Sequence, residues 1–83
     1  MTVTVRYFAI FRERLGQSSA RVTLDAGATV AGLWEQVMAA RPDLRELRGA
    51  TRFAVNGAYA SPETPLHDGD EVAFLPPMSG GRE

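Results

Sequence analysis

One segment of this chain carries the apolar stripe of a full-length helix, and it sits in the middle of a sequence that otherwise alternates like β-strand. Val30, Leu33, Trp34, Val37 and Met38 recur at i, i+3, i+4, i+7 and i+8 between Gly27 and Pro42, which gathers them on one helical face. Thr29 stands where an N-cap is needed, and Pro42 stops the helix. A lone amphipathic helix has to bury its stripe against something, and the flanking strands supply a sheet. A Trp and a Met at helical spacing would also suit a ligand pocket, but packing onto that sheet accounts for them more simply. Gly32, inside the helix, costs about 1 kcal/mol relative to alanine, and the sequence offers no reason for it beyond close packing.

The strands are read from period-two patterning. Thr2 to Phe8 alternates with Val3, Val5 and Tyr7 on one face. Ala9 to Gly16 reads as a short helix closed by its glycine, and Arg21 to Asp25 alternates again, with Val22 and Leu24 inward. After Pro42, Asp43 to Leu47 predicts a further helical turn. Arg52 to Val55 and Ala58 to Ala60 flank Asn56-Gly57, the strongest short hairpin signal because both central positions of a type I′ turn need positive φ. Asp68-Gly69-Asp70 predicts a tight turn, and Glu71 to Leu75 the last strand. The order ββαβ(β)β predicts an α+β chain of β-grasp, ubiquitin-like form, a mixed sheet of four to five strands with one main helix packed across it. Residues 1–76 would make the domain and residues 77–83 a flexible C-terminal tail.

Eighty-three residues support one small core. With no cysteine, a disulfide framework, a thiol nucleophile and a thiolate metal site are all excluded, and the single His67 reads as a solvated turn residue, so no metal site is expected. All nine basic residues are arginine; without lysine, the α-amino group is the one amine nucleophile, and in any acyl chemistry the chain is better placed as donor. A net charge of −1 argues against nucleic acid, since phosphate binding needs a cationic surplus. Arg41, Arg45, Arg48 and Arg52 cluster, but with Asp43 and Glu46 interleaved they read as a solvated surface. No apolar run reaches the roughly 18 residues of a membrane span, and the expected location is cytoplasmic.

The C-terminus carries the chemistry. Phe74-Leu75-Pro76-Pro77-Met78-Ser79-Gly80-Gly81 runs from a strand through two prolines, which end pairing and stiffen the exit, to a glycine pair with no Cβ to obstruct a narrow channel. Such a terminus suits a substrate for another enzyme's active site, although a frayed domain end is the plainer reading of a glycine pair alone. Alternation puts Val72 and Phe74 inward and Leu75 outward, so Leu75, with Tyr59 and Ala54, is a candidate partner contact.

In ordered combination, Tyr7-Phe8-Ala9 with Arg12-Glu13, Ala28-Thr29-Val30, Ala54-Val55-Asn56, Pro65-Leu66, Asp68-Gly69-Asp70-Glu71-Val72-Ala73-Phe74 and the Pro-Pro-x-x-Gly-Gly ending resemble the small subunit of molybdopterin synthase, among the ubiquitin-like sulfur carriers. The resemblance spans nearly the whole chain. It implies a non-catalytic carrier subunit with no permanently bound cofactor. An E1-like adenylating enzyme would spend Mg-ATP on the Gly81 carboxylate, and a sulfur donor would then leave a thiocarboxylate. Gly80, Ser79, Met78 and Pro77 would thread into the large synthase subunit, in a heterotetramer, for sulfur transfer to cyclic pyranopterin monophosphate.

One departure stands out. The family's active form ends at the second glycine, whereas this chain continues with Arg82-Glu83. Proteolytic trimming, a longer precursor or fusion, and a copy that cannot be activated are the three explanations. Rival functions are a sulfur carrier for another pathway such as thiazole synthesis, a protein modifier joined to lysines, and a β-grasp binding module with an inert tail.

Overall fold

The computed structural model describes residues 1–77; Met78, Ser79, Gly80, Gly81, Arg82 and Glu83, which hold most of the expected tail, lie outside the described residues. The first strand, β1 (Thr2–Tyr7), leads into a short helix, α1 (Ile10–Leu15), and back through β2 (Ser19–Thr23). The main helix, α2 (Val30–Ala40), is followed by a 3₁₀ segment, Pro42–Ala50, and then by β3 (Arg52–Val55), β4 (Ala58–Ala60) and β5 (Glu71–Leu75). The five strands form one mixed sheet in the order β2-β1-β5-β3-β4. Its two central strands, β1 and β5, come from opposite ends of the chain and pair in parallel, Val5 beside Val72 and Tyr7 beside Phe74. The other three pairings are antiparallel. This is the expected β-grasp arrangement, with five strands.

The helical stripe lands on the sheet as its spacing requires. Val30, Leu33, Trp34, Val37 and Met38 are all buried on α2, and they meet Val3, Val5 and Tyr7 of β1, Phe53 of β3 and Val72 and Phe74 of β5 in one apolar core. Phe74 is its centre: the rings of Tyr7, Phe11, Trp34 and Phe53 lie 5.3–6.0 Å from it, all tilted or edge-on. Such geometry adds about 0.5–1.5 kcal/mol per pair beyond the area buried. Burial also pushes the Tyr7 phenol above its ordinary pKa.

The Thr29 hydroxyl accepts from the Gly32 amide at 3.2 Å, capping α2. Gly16 takes φ 74° and closes α1 by donating to the Arg12 carbonyl, and Asn56-Gly57, at φ 51° and 86°, makes the hairpin turn. Close packing does not explain Gly32, because a Cβ there would meet only the Thr29 hydroxyl at 3.8 Å.

Two expectations shift in register. The second strand runs Ser19–Thr23 rather than Arg21–Asp25, since β1 pairs Arg6 with Ser19 and Thr2 with Thr23. Leu24 lies past its end yet is buried, held by mutual hydrogen bonds with Met1. The helical turn expected at Asp43–Leu47 extends over Pro42–Ala50, anchored by Leu44 in the core and by the buried Thr51, whose hydroxyl donates to the Leu47 carbonyl at 2.6 Å.

Candidate partner-docking face

Each residue that β5 turns away from α2 meets a neighbour on the sheet's other side. Leu75 pairs with Arg52, and Ala73 with Ala54. Ala54 in turn pairs with Tyr59 on the edge strand. The three residues expected as partner contacts, Leu75, Tyr59 and Ala54, therefore share one face. Leu75 and Tyr59 line a groove of about 1060 Å³, together with Phe8, Ile10 and Leu47, and Pro76 and Pro77 run along it as the chain leaves β5. Ala54 lies in the strand row beside the groove and does not line it. Of the threading residues, Pro77 is exposed at the groove.

The large apolar side chains left most open among the described residues are Tyr59, 79% exposed, and Phe8, 37% exposed, and both belong to this groove. Paired with the apolar Leu75, they form a contiguous patch of the kind that marks a binding surface. The contributions of Phe8, Ile10 and Leu47 were not read from the sequence. Phe8 continues the alternation of β1 but falls one residue past the strand, and Ile10 and Leu47 come from separate helical segments that only the fold brings together.

The groove has a strained rim. Ala9 sits at φ 48° and ψ −119° just before α1, in a tight turn in which the Phe11 amide donates to the Phe8 carbonyl at 3.0 Å. Positive φ at a residue with a Cβ costs on the order of 1–3 kcal/mol. At the other end of β5, the turn that feeds the strand is clamped. The Asn56 side chain donates to Asp70 at 2.9 Å while its carbonyl accepts the Glu71 amide at 2.9 Å, and the Asp70 carboxylate also accepts the His67 amide at 2.8 Å. The Asn56 hydrogen bond, followed by that from His67, lowers the Asp70 pKa. His67 itself is an exposed turn residue.

The arginine cluster divides. Arg41 forks onto Asp43 with 3.0 and 3.1 Å contacts, which holds the Asp43 carboxyl below its ordinary pKa, and Arg45 pairs with Glu35. Arg48 and Arg52 meet no carboxylate among the described residues.

The groove thus lies beside the final strand of a β-grasp sheet, and the sequence that follows that strand reaches a glycine pair. The ThiS family model matches residues 5–81, from β1 through the second glycine. The chain belongs to the ThiS family. It is 41% identical to the molybdopterin synthase sulfur carrier subunit of Chlamydomonas reinhardtii over 83 residues, covering 98% of this chain and 100% of that one. The crystal structure of small archaeal modifier protein 1 from Haloferax volcanii superposes with a TM-score of 0.86 at 29% identity, covering 98% of this chain and all of that one. A complex of subunits 1 and 2 of molybdopterin-converting factor from Helicobacter pylori contains a chain that matches with a TM-score of 0.67 at 27% identity, over 98% of this chain and 100% of that one. Among the described residues of this ThiS-family chain, no helix is long and apolar enough to cross a membrane.

Proposed function

We propose that this chain is the sulfur-carrier subunit of a molybdopterin synthase. The observation that carries the reading is the route of β5: a buried strand at the centre of the sheet runs out through Leu75-Pro76-Pro77 along an apolar groove, and the sequence then reaches Gly80-Gly81. A carrier needs a rigid docking body joined to a terminus that fits a narrow channel, and this order of residues supplies both. The full-length likeness to a molybdopterin synthase sulfur carrier subunit supports the choice of pathway.

In this reading the chain docks on a large synthase subunit, a partner supported by the subunit 1 and 2 complex of the Helicobacter pylori relative, and it does so through the groove face. An E1-like adenylating enzyme activates the terminus with Mg-ATP. The Gly81 carboxylate attacks the α-phosphorus and releases pyrophosphate; a sulfur donor then displaces AMP, leaving the C-terminal thiocarboxylate. In the large subunit that sulfur passes to cyclic pyranopterin monophosphate, and the carrier returns as carboxylate. The described residues supply docking and no acid or base. The place of action is the cytoplasm, and Arg82-Glu83 is removed before loading.

The test is to incubate the chain ending at Gly81 with an adenylating enzyme of the same organism, Mg-ATP and a sulfur donor, and to weigh the product. Replacement of one C-terminal oxygen by sulfur is expected. An unmodified terminus, with an enzyme active on another carrier, would contradict the proposal. A second reading, a ubiquitin-like protein modifier, is favoured by the likeness to small archaeal modifier protein 1. Isopeptide adducts on lysines of other proteins would select it.

A further inference from the structure

Beside the apolar groove lies a second, smaller hollow of about 210 Å³ between β3, β4 and the 3₁₀ segment, and Arg52 and Tyr59 line both. Arg48 also lines it, and its guanidinium lies 5.0 Å from the centre of the Phe53 ring. Arg48 is half-buried and Arg52 exposed. The turn between them is fixed, since the Thr51 amide donates to the Arg48 carbonyl and the buried Thr51 hydroxyl to that of Leu47. A guanidinium carries five N–H donors in a planar fork, yet neither of these two side chains donates to any acceptor among the described residues. Four other arginines, Arg6, Arg14, Arg41 and Arg45, each have a carboxylate within 4 Å. Two arginines without a carboxylate among the described residues thus line the small hollow, and one of them, Arg52, lines the apolar groove as well.

We infer that Arg48 and Arg52 form a receptor for a carboxylate side chain of the protein that docks on the groove. The inference rests on the reading of that groove as a partner-binding face and adds the chemistry of its rim. The hollow is smaller than the roughly 300–1,000 Å³ of small-molecule sites but admits the head of an Asp or Glu. Arg48 is already oriented on Phe53, so little side-chain freedom is lost when a carboxylate arrives. The shared walls, Arg52 and Tyr59, join the hollow to the apolar groove, so a partner seated on Leu75 and Tyr59 covers Arg52 and reaches Arg48 with a side chain that enters the hollow at the sheet edge. The partner is an acidic-rimmed protein surface, and rim charges act mainly on the rate and salt dependence of association.

The experiment measures association of the chain ending at Gly81, the form the carrier reading requires, with the large molybdopterin synthase subunit of the same organism over a range of salt. Three proteins are compared: the unaltered chain, Arg48→Gln/Arg52→Gln and Arg48→Lys/Arg52→Lys, each first shown to unfold cooperatively. The glutamine pair is expected to associate about tenfold more slowly at low salt, with a flattened salt dependence and nearly unchanged dissociation. The lysine pair is expected to restore most of the rate and the salt slope, which a loss of packing on Phe53 would not allow. Equal rates and slopes in all three would overturn the inference. So would inhibition of the unaltered chain by inorganic phosphate or ATP beyond that of chloride at equal ionic strength, which would make the occupant a small anion. Failure of the unaltered chain to bind would instead overturn the carrier reading itself.

Discussion

Phe74 and Leu75 are neighbours on one strand and belong to different parts of the molecule's work. Phe74 is fully buried and gathers four aromatic rings around it. Leu75 faces the other way, partly exposed, onto a largely apolar groove that stands open among the described residues. Both are large and apolar, so hydrophobicity alone does not distinguish them; the period-two geometry of β5 does. The inner face is closed by α2 and sets stability. In the proposed carrier the outer face is closed by another protein, and burying its apolar side chains there supplies a driving force for association.

The largest effect is expected at Phe74. Phe74→Ala is expected to destabilise the domain by about 3–5 kcal/mol, seen as a lower midpoint in urea unfolding; a loss well under 1 kcal/mol would mean that the aromatic cluster does not hold the fold. On the other face, Leu75→Arg is expected to cost stability under about 1 kcal/mol, because the new charge stays in water although it lies across from Arg52, and to weaken binding to the large subunit by about 2–4 kcal/mol, since docking would bury it beside a like charge. Titration calorimetry decides this, and unchanged affinity would remove Leu75 from the interface. At the groove rim, Ala9→Gly is expected to raise stability by about 1 kcal/mol by releasing the strained φ, net of the extra freedom glycine gives the unfolded chain. A loss on thermal unfolding would show that the alanine conformation carries no strain.

The smallest effect concerns the turn that launches β5. The folded pKa of Asp70 lies below its ordinary value of 3.8, so its contribution to stability is present above pH 3.8 and is lost as acid carries the pH through the lower folded value. Acid titration of unfolding free energy should therefore fall more gently for Asp70→Asn than for the unaltered chain in that window. Identical slopes would show that the Asn56–Asp70 clamp does not favour the charged carboxylate.

Much of this was legible in the sequence because it was written in local periods. The α2 stripe, the Thr29 cap, the Asn56-Gly57 turn and the inward and outward faces of β5 each follow from a few adjacent residues. Register was less so. Alternation alone fits Arg21–Asp25 as well as Ser19–Thr23, and only pairing with β1 separates them. The groove was half legible: Leu75, Tyr59 and Ala54 come from strand alternation, whereas Phe8, Ile10 and Leu47 join it only once the chain is folded. The divided fate of the arginines was not legible at all, because whether Arg48 or Arg45 finds a carboxylate depends on Glu35 across a turn.

The most direct test of the central claim is complete turnover. The chain ending at Gly81, loaded as thiocarboxylate, is mixed with the large subunit and cyclic pyranopterin monophosphate, and carrier and pterin are followed together by mass spectrometry. The account predicts that the thiocarboxylate reverts to carboxylate as dithiolene sulfur appears in the pterin, and that Leu75→Arg, equally loaded, transfers slowly. A loaded carrier that binds the large subunit and keeps its sulfur would contradict it.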